Sequence, residues 1–167
     1  MNGKSFTVRE ASEDDVVTLS SHRSKLWEEV HDISERGRIQ ATLPLFVEWV
    51  RNEMRSGTLV AFIAESGGAA VSSACIWFRP TEPKLSIRRW EEAYLMTMYT
   101  EREYRRMGAA SAVLGRAIDC CRERGLERIA LHSSEQGVEL YRLFGFEATT
   151  EMRLRIGPLP GKEGFKP

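Results

Sequence analysis

Residues 104–111 combine two arginines, a glycine and several small side chains, a composition that can bind phosphate. The segment reads Tyr104-Arg105-Arg106-Met107-Gly108-Ala109-Ala110-Ser111. The apolar run at 93–100 before it predicts a buried strand, and the residues after it predict an amphipathic helix. Where a helix begins, unpaired backbone N–H groups converge and the helix dipole adds positive potential, while arginines can pair with phosphate oxygens. The segment therefore predicts a binding site for a phosphorylated ligand.

Small residues are needed in such a loop because the backbone must approach the phosphates closely. Gly108 and Ala110 leave room for that approach. The other interpretation of the same residues is an ordinary strand-to-helix turn with solvent-exposed arginines. Neither G-x-G-x-x-G nor G-x-x-x-x-G-K-S/T occurs in the chain, which excludes a dinucleotide or P-loop nucleotide site at the level of motifs.

Composition and charge limit the class of protein. The chain has 167 residues, of which 42% are hydrophobic and 29% charged, and this is typical of one soluble globular domain. Its formal net charge is zero, so nothing global indicates a nucleic acid or a membrane as partner. The sequence has no long apolar run and no N-terminal signal peptide, and its three cysteines form no disulfide or zinc pattern. We therefore expect a cytoplasmic protein with reduced thiols.

Hydrophobic periodicity and turn residues predict the element order β-α-α-β-β-β-α-β-α-β. The predicted strands lie at 6–8, 59–64, 71–78, 93–100, 128–133 and 149–156. The predicted helices run from Ser12 to Val30, from near Thr42 and Pro44 to Gly57, from Gly108 to Gly125, and around 138–144. The strand, helix and strand between 93 and 133 need a crossover connection, which predicts some parallel pairing in an α/β fold.

The order of these elements and two motifs resemble the GNAT superfamily of N-acetyltransferases. The acetyl-CoA loop of that family reads R/Q-x-x-G-x-G/A, and Arg105, Gly108 and Ala110 match it between a predicted strand and a predicted helix. A second family motif, LY-x-x-x-GF, is similar to residues 140–146. Three more segments look like a large bacterial subgroup of generic acetyltransferases: Met98-Tyr99-Thr100, Leu131-His132-Ser133-Ser134 and Glu151-Met152. The resemblance covers residues 5–156.

The resemblance implies a fold class and a co-substrate. The fold would be α/β, with a GNAT-like mixed, mostly antiparallel twisted sheet, a parallel splayed strand pair, and helices on both faces. Residues 5–156 would form a single N-acetyltransferase domain and 157–167 a C-terminal tail. Acetyl-CoA would bind with its pantetheine against Met98 and Tyr99. Its pyrophosphate would lie on the amides of Arg105, Arg106, Met107, Gly108, Ala109, Ala110 and Ser111.

Two positions depart from the family pattern. Thr97 stands where the subgroup often has asparagine. Arg106 stands where a glycine usually follows the first arginine of the loop, and its side chain could reach an outer phosphate.

The reaction implied by the resemblance is direct attack of an amine on the acetyl thioester. A backbone N–H of Met98 or Tyr99 would stabilise the oxyanion, and Tyr141 would donate a proton to the departing thiolate. Tyr141 also fits core packing, because it lies on an apolar helix face with Val138 and Phe144.

The base is assigned to Glu92, or to Glu91 beside it, at the start of the strand that would splay. A base that acts through water is an alternative, and so is the interpretation of both side chains as solvated loop carboxylates. His132, at the end of the next strand, is a further candidate. The histidines have no metal-ligand spacing to a cysteine or carboxylate, so we expect no metal.

The acceptor pocket is expected between the first two helices and the loop 79–92. Its candidate residues are aromatic or acidic: Trp27, Glu28, Glu29, His31 and Trp90. Such walls would suit a cationic small-molecule or peptide amine.

Two other functions remain open at this point. A non-catalytic module that senses acyl-CoA would need the phosphate loop but neither Tyr141 nor an acceptor pocket. A nucleic-acid binder is suggested by several arginines, but the zero net charge and the lack of a known binding motif oppose it. Exposed strands near the C-terminus would allow a homodimer without requiring one.

Overall fold

A computed structural model describes residues 5–85 and 88–157 of the chain. It contains five strands and four helices in this order: β1 (Thr7–Glu10), α1 (Val16–Val30), α2 (Arg36–Ser56), β2 (Leu59–Ser66), β3 (Ala69–Pro80), β4 (Glu91–Thr100), α3 (Ala109–Glu123), β5 (Ile129–Leu131) and α4 (Val138–Leu143). Short 3-10 turns occupy Glu13–Asp15, Ile33–Glu35 and Arg102–Tyr104. Of the predicted tail at 157–167, only residue 157 lies within the described residues. None of the helices within 5–85 and 88–157 combines the length and apolar character that a membrane span requires.

The five strands form one mixed sheet in the order β1-β2-β3-β4-β5. The first four pair antiparallel with their neighbours, and β4 pairs parallel with β5. The β2–β3 hairpin turns at Gly67 and Gly68, both with positive φ, as a tight turn between twisted strands requires. The crossover through α3 makes the last pair parallel, because a helix carries the chain back to the start of the sheet. The predicted fold class is confirmed.

Two apolar clusters cover the two faces of the sheet. Because side chains alternate along a strand, Phe62 and Ala64 of β2 point to the α3 side while Ala61 and Ile63 point to α1 and α2. The α3 cluster is the larger and also contains Leu114. The helices therefore flank the sheet on both faces, as predicted.

The predicted start of the first helix at Ser12 becomes a short turn before α1. The carboxylate of Asp15 accepts hydrogen bonds from the backbone N–H of Ser12 (2.8 Å) and from Arg9 (2.7 and 2.8 Å). The Arg9 hydrogen bond is the main cause that lowers the pKa of Asp15 to about 2. This acidic link fixes the entry of α1 against β1.

The start predicted for the second helix was wrong. Helix α2 begins at Arg36, so Pro44 lies inside it rather than at its start. Proline removes the hydrogen bond to the carbonyl of Gln40, but Pro44 is exposed, so water can satisfy that carbonyl. The helix ends as predicted at Gly57, which has a left-handed φ of 73°.

The strand predicted at 149–156 was also wrong. This segment has no regular secondary structure, and its alternating apolar side chains Met152, Leu154 and Ile156 are exposed. An alternating pattern forms a strand only beside a partner that supplies backbone hydrogen bonds. The strand at the sheet edge, β5, is only three residues long and offers little for another strand to pair with.

Candidate active site

The central feature of the site is the point where β4 separates from β5. The parallel pairing covers only Ala93–Leu95 of β4 and Ile129–Leu131 of β5. On its other edge β4 stays paired with β3 as far as Thr100. From Met96 onward, the edge of β4 that faces β5 has no paired strand within the described ranges. Backbone N–H and C=O groups along this edge are therefore available to a ligand.

A bulge in β4 lies within this opened stretch. Tyr99 pairs with Ser73 and Met96 with Cys75, so Thr97 and Met98 together oppose a single residue of β3. Thr97 has a left-handed φ of 53°, which is rare for a β-branched residue. Strain of this kind is kept where the surrounding structure enforces it, which is often at functional sites.

The phosphate loop leads from β4 into α3. Gly108 has a φ of 94° and precedes the first residue of the helix, Ala109. Ala112 donates the first helical hydrogen bond, to the carbonyl of Gly108 (2.9 Å). The N–H groups of residues 109–111 therefore precede the first intrahelical bond and are free for an anion. A Cβ placed on Gly108 would have no atom within 4 Å, so the approach to these groups is open.

The two arginines of the loop differ in their partners. Arg105 donates to both carboxylate oxygens of Glu29 (2.7 and 2.8 Å) and to the carbonyl of Thr100 (3.0 Å). Its backbone N–H also has a partner, the carbonyl of Arg102 (3.4 Å). Arg106 is exposed and has a left-handed φ of 59°, where the family pattern has glycine. The side chain of Arg105 thus anchors the loop to α1, and Arg106 is the arginine left for a phosphate.

Glu29 is the common acceptor of this anchor. It also accepts from Arg102 (2.9 Å). Burial alone would raise the pKa of Glu29, but the hydrogen bonds from Arg102 and Arg105 outweigh it and lower the pKa. Glu29 is therefore a structural carboxylate that neutralises two arginines beside the loop.

Tyr141 lies on the other face of the sheet, in the α3 cluster. Its side chain is buried and its ring packs against Phe146 at 5.6 Å. Met98 packs against the same cluster, so the structure brings these two predicted site residues into one environment. Burial raises the pKa of Tyr141 to about 12.

Glu92 is held by two arginines at the start of β4. Its carboxylate accepts from Arg79 (2.6 Å) and Arg128 (2.8 Å). Burial would raise the pKa of Glu92, but these hydrogen bonds outweigh it and lower the pKa. Glu91 pairs with Arg124 (3.1 Å). The carboxylate proposed as a base is thus stabilised in its charged form.

His132 follows β5 and contacts the hydroxyl of Tyr94 through Nδ1. Tyr94 lies opposite Ala130, next to the end of the parallel pairing. Glu151 lies 3.5 Å from Nε2 of His132. An imidazole therefore lies close to the place where the two strands separate.

The predicted acceptor residues are only partly assembled. The rings of Trp27 and His31 lie 6.0 Å apart at the end of α1, and Glu28 accepts hydrogen bonds from Ser24 and Gln40 (3.3 Å each). Trp90 precedes β4, so at about 3.3 Å per residue it lies roughly 20 Å along the strand from the bulge. The structure does not bring Trp90 together with the α1 residues.

Several polar residues near the bulge were missed by the sequence analysis. Arg23 of α1 donates to the hydroxyl of Thr97 (3.1 Å). His22 is buried, its Nδ1 lies 2.7 Å from the hydroxyl of Ser73, and burial lowers its pKa. The spacing of Arg23 from Leu19 and Trp27, four residues on either side, places it on the apolar face of the helix. A charged residue on an apolar helix face is the feature of the sequence that could have identified Arg23 as a candidate site residue.

The three cysteines differ in burial. Cys75 and Cys121 are buried free thiols and Cys120 is half-buried. Burial raises the pKa of Cys75 and of Cys121 to about 12. Within 5–85 and 88–157, no three His, Cys, Asp or Glu side chains form a group that could hold a metal ion.

Comparisons with known proteins add a family and a set of related folds. Residues 23–146 match the family described as acetyltransferase (GNAT) family. A GCN5-related N-acetyltransferase from Ralstonia eutropha JMP134 is 25% identical, with a TM-score of 0.85 over 91% of this chain and 99% of that one. A predicted acetyltransferase with acetyl-CoA from Clostridium acetobutylicum is also 25% identical, with a TM-score of 0.80 over 91% and 97%.

A more distant structure shares the fold. An aminoglycoside N-acetyltransferase in complex with CoA is 17% identical, with a TM-score of 0.69 over 93% of this chain and 97% of that one. No curated protein matches the sequence significantly.

Proposed function

Because the chain belongs to the GNAT family of acetyltransferases, whose co-substrate is acetyl-CoA, we propose that it acetylates a primary amine of a small molecule or peptide. The amine attacks the thioester directly while both substrates are bound. The observation that carries the proposal is the opened edge of β4 beside the free N–H groups at the start of α3. A thioester arm and a pyrophosphate need these two features side by side.

Acetyl-CoA binds along the opened edge in this proposal. The pyrophosphate lies on the amides that begin α3, at Gly108, Ala109, Ala110 and Ser111, with Arg106 and Met107 at the rim. The pantetheine pairs with the backbone of Met98 and Tyr99, where β4 has no strand partner on the β5 side among the described residues. One of these two N–H groups stabilises the oxyanion.

The reaction transfers one acetyl group from sulfur to nitrogen, and the amine loses a proton while the thiolate gains one. The amine nitrogen forms a bond to the carbonyl carbon, the C–S bond breaks, and the thiolate takes a proton. Tyr141 supplies that proton or a hydrogen bond from its hydroxyl. Its pKa of about 12 keeps the Tyr141 hydroxyl protonated at neutral pH. A thiolate, whose conjugate acid has a pKa of about 8.5, is a weaker base than the Tyr141 phenolate. A hydrogen bond to the thiolate is therefore the larger part of the role of Tyr141, and a proton from solvent completes the free thiol.

The amine proton needs a separate acceptor. Glu92 was assigned this role, but two arginines lower its pKa and occupy its oxygens, which makes it a weak base. His132 is a second candidate on the grounds of its position beside the separating strands, and Arg153 contacts both of its ring nitrogens. Water that passes the proton to solvent remains the third route.

The test of the proposal is stabilisation by acetyl-CoA together with release of free CoA. Saturation at about 100 times Kd raises the unfolding free energy by about 2.7 kcal/mol, or roughly 5–10 °C in Tm for a chain of this size. Gly108→Glu places a negative charge among the phosphate-binding amides, and we expect it to abolish the shift. Gly68→Glu is the matched control, because Gly68 also has positive φ and open space but lies in the β2–β3 turn.

Either of two results would count against the proposal. No shift with the wild-type protein would mean that the loop is structural. A shift without CoA release from any amine would favour the alternative function, a module that senses acyl-CoA.

A further inference from the structure

Arg23 is an unusual residue in the layer of α1 and α2. Its Cζ lies 3.8 Å from the centre of the Trp27 ring and 4.3 Å from that of Phe46. Its Nη1 donates to the hydroxyl of Thr97, the residue with left-handed φ in the β4 bulge. The aromatic contacts use the faces of the guanidinium, which leaves its N–H edge for hydrogen bonds.

The charge of Arg23 has no carboxylate to balance it. Three arginines of the described chain have a buried Nε without a hydrogen-bond partner, namely Arg23, Arg38 and Arg128. Arg38 is paired with Glu35 (2.5 Å) and Arg128 with Glu92 (2.8 Å). For Arg23 no ion pair to a carboxylate occurs within 5–85 and 88–157. An unpaired buried guanidinium is costly unless an anion completes it.

Burial lowers the pKa of Arg23 to about 10, and the neighbouring Cys75 opposes this shift. Arg23 therefore remains charged at neutral pH. The residue is half-buried, whereas its Nε is buried, so a ligand has to approach the Nη end of the guanidinium.

The acidic residues of α1 do not compensate Arg23, because they face elsewhere. With 3.6 residues per turn, Arg23 and Trp27 share one side of the helix, whereas Lys25 and Glu29 lie on the opposite side. Glu28 is bound to Ser24 and Gln40, and Glu29 to the two loop arginines. A cleft of about 370 Å³ on that other side is lined by Lys25, Glu28, Glu29, Tyr99, Glu101, Arg102 and Glu103.

We propose that the acceptor is an amine that carries a carboxylate, and that the guanidinium edge of Arg23 binds this carboxylate beside the bulge of β4. The planar guanidinium matches a carboxylate in size and hydrogen-bond geometry. In an α-amino acid the amine and the carboxylate are attached to the same carbon. A carboxylate on Arg23 therefore keeps the amine next to the opened edge of β4. This inference rests on the proposed function, and it adds a carboxylate to the cationic amine that the sequence suggested.

The experiment compares α-amino acids with their own carboxamides, which keep the primary amine and remove the negative charge. Binding is measured by calorimetry on protein saturated with CoA, and acetylation by release of CoA from acetyl-CoA. We expect the best amino acid to bind and react at least 10-fold better than its amide. Arg23→Gln should lower binding and kcat/KM for the amino acid by about 10- to 100-fold and should lower those of the amide far less.

Two controls separate recognition from folding. Arg23→Lys keeps the charge without the planar edge, so it should recover part of the preference. Stabilisation by acetyl-CoA should persist in both variants, which shows that the protein is folded and the cofactor site is intact. Phosphoethanolamine is added as a phosphate-bearing amine, and better binding than every amino acid would overturn the choice of carboxylate.

The outcomes for the two proposals can be told apart. If no amino acid exceeds its amide in binding, or if the preference survives Arg23→Gln, the inference about Arg23 is wrong. If the preference in binding is present but no CoA is released, the carboxylate site stands and the proposed acetyl transfer fails.

Discussion

The two faces of β4 differ in the chemistry they bury. On the α3 face, Ala93 and Leu95 belong to an apolar cluster, and Met98 packs against it. On the α1 and α2 face, Thr97 contacts Arg23, and the buried His22 bonds Ser73 of the neighbouring strand. Buried polar groups contribute less to stability than apolar packing of the same volume. We therefore expect the face of β4 toward α3, the apolar face, to contribute more to stability than the face toward α1 and α2, the polar face.

The largest expected effect is on the apolar face. Leu114→Ala removes a fully buried side chain of α3 and leaves a cavity, so we expect a loss of about 2–5 kcal/mol in the free energy of unfolding. Urea denaturation measures it. The matched control is Leu143→Ala, the same change at an exposed position, which should stay within about 0.5 kcal/mol.

A substitution on the polar face gives a loss of unfolding free energy to compare with that of Leu114→Ala. Ser73→Ala leaves Nδ1 of the buried His22 without its hydroxyl partner, at an expected loss of about 1–3 kcal/mol. A loss larger than that of Leu114→Ala would mean that the polar face, rather than the apolar one, holds the sheet together.

The second prediction concerns the tyrosine of the α3 face. Tyr141→Phe removes only a hydroxyl, so we expect kcat to fall by about 10- to 100-fold while the Kd of acetyl-CoA stays unchanged. Steady-state kinetics and calorimetry measure the two quantities. An unchanged kcat would show that Tyr141 acts in packing alone.

The pH dependence of Tyr141 has a defined sign. Its pKa in the folded protein, about 12, lies above the value near 10 of an unfolded chain. Its contribution to stability is therefore complete below pH 10 and is lost as the pH rises toward 12. Activity should show no inflection from Tyr141 in the neutral range.

The part of the fold with strong local signals could be predicted from the sequence. Gly108 between an apolar strand and an amphipathic helix fixed the position of the phosphate loop, and its left-handed φ explains why a glycine stands there. The start of α2 could not be predicted, because a proline in the middle of a helix reads locally as a helix start. The prediction of a strand at 149–156 failed for another reason. A strand needs a neighbouring strand to pair with, and the alternation of side chains does not show whether one is present.

The cofactor half of the candidate site depends on local chain order, whereas the acceptor half depends on contacts between distant residues. The amides of the loop follow from local chain order. The partner of a charged side chain cannot be inferred from local chain order. Nothing in the sequence shows that Glu29 neutralises Arg105, or that Arg23 has no carboxylate partner among the described residues. Glu28 and Glu29 suggested a cationic acceptor, and in the structure each of them already accepts hydrogen bonds from the protein.

The third prediction concerns the ion pairs of Glu92 with Arg79 and Arg128 at the start of β4, which we call the clamp. Glu92→Gln removes the charge shared by Arg79 and Arg128, and because both arginines are partly exposed we expect a loss of only about 1 kcal/mol. The pKa of Glu92 is lowered in the folded protein, so this contribution is present above the unfolded value near 4.3 and disappears as the pH falls below it. The difference between variant and wild type in urea should therefore shrink at low pH.

Measurements of kcat distinguish a structural role of Glu92 in the clamp from a role as the catalytic base. If Glu92 only holds the strand, Glu92→Gln keeps most of kcat at pH 7, whereas His132→Gln lowers it. The reverse order would restore Glu92 as the base despite its two arginines.

The smallest effect is expected at the bulge, where the two faces of β4 meet. Thr97 has a left-handed φ of 53°, and asparagine tolerates that conformation better than a β-branched residue. Thr97→Asn should therefore raise the free energy of unfolding by about 0.5–1 kcal/mol, and its side-chain carbonyl can still accept from Arg23. Thr100→Asn is the control, because Thr100 lacks positive φ and its hydroxyl bonds Ser72, so it should be destabilising. If Thr97→Asn destabilises the protein as well, the left-handed bulge is not the source of strain, and the threonine hydroxyl is needed to position Arg23.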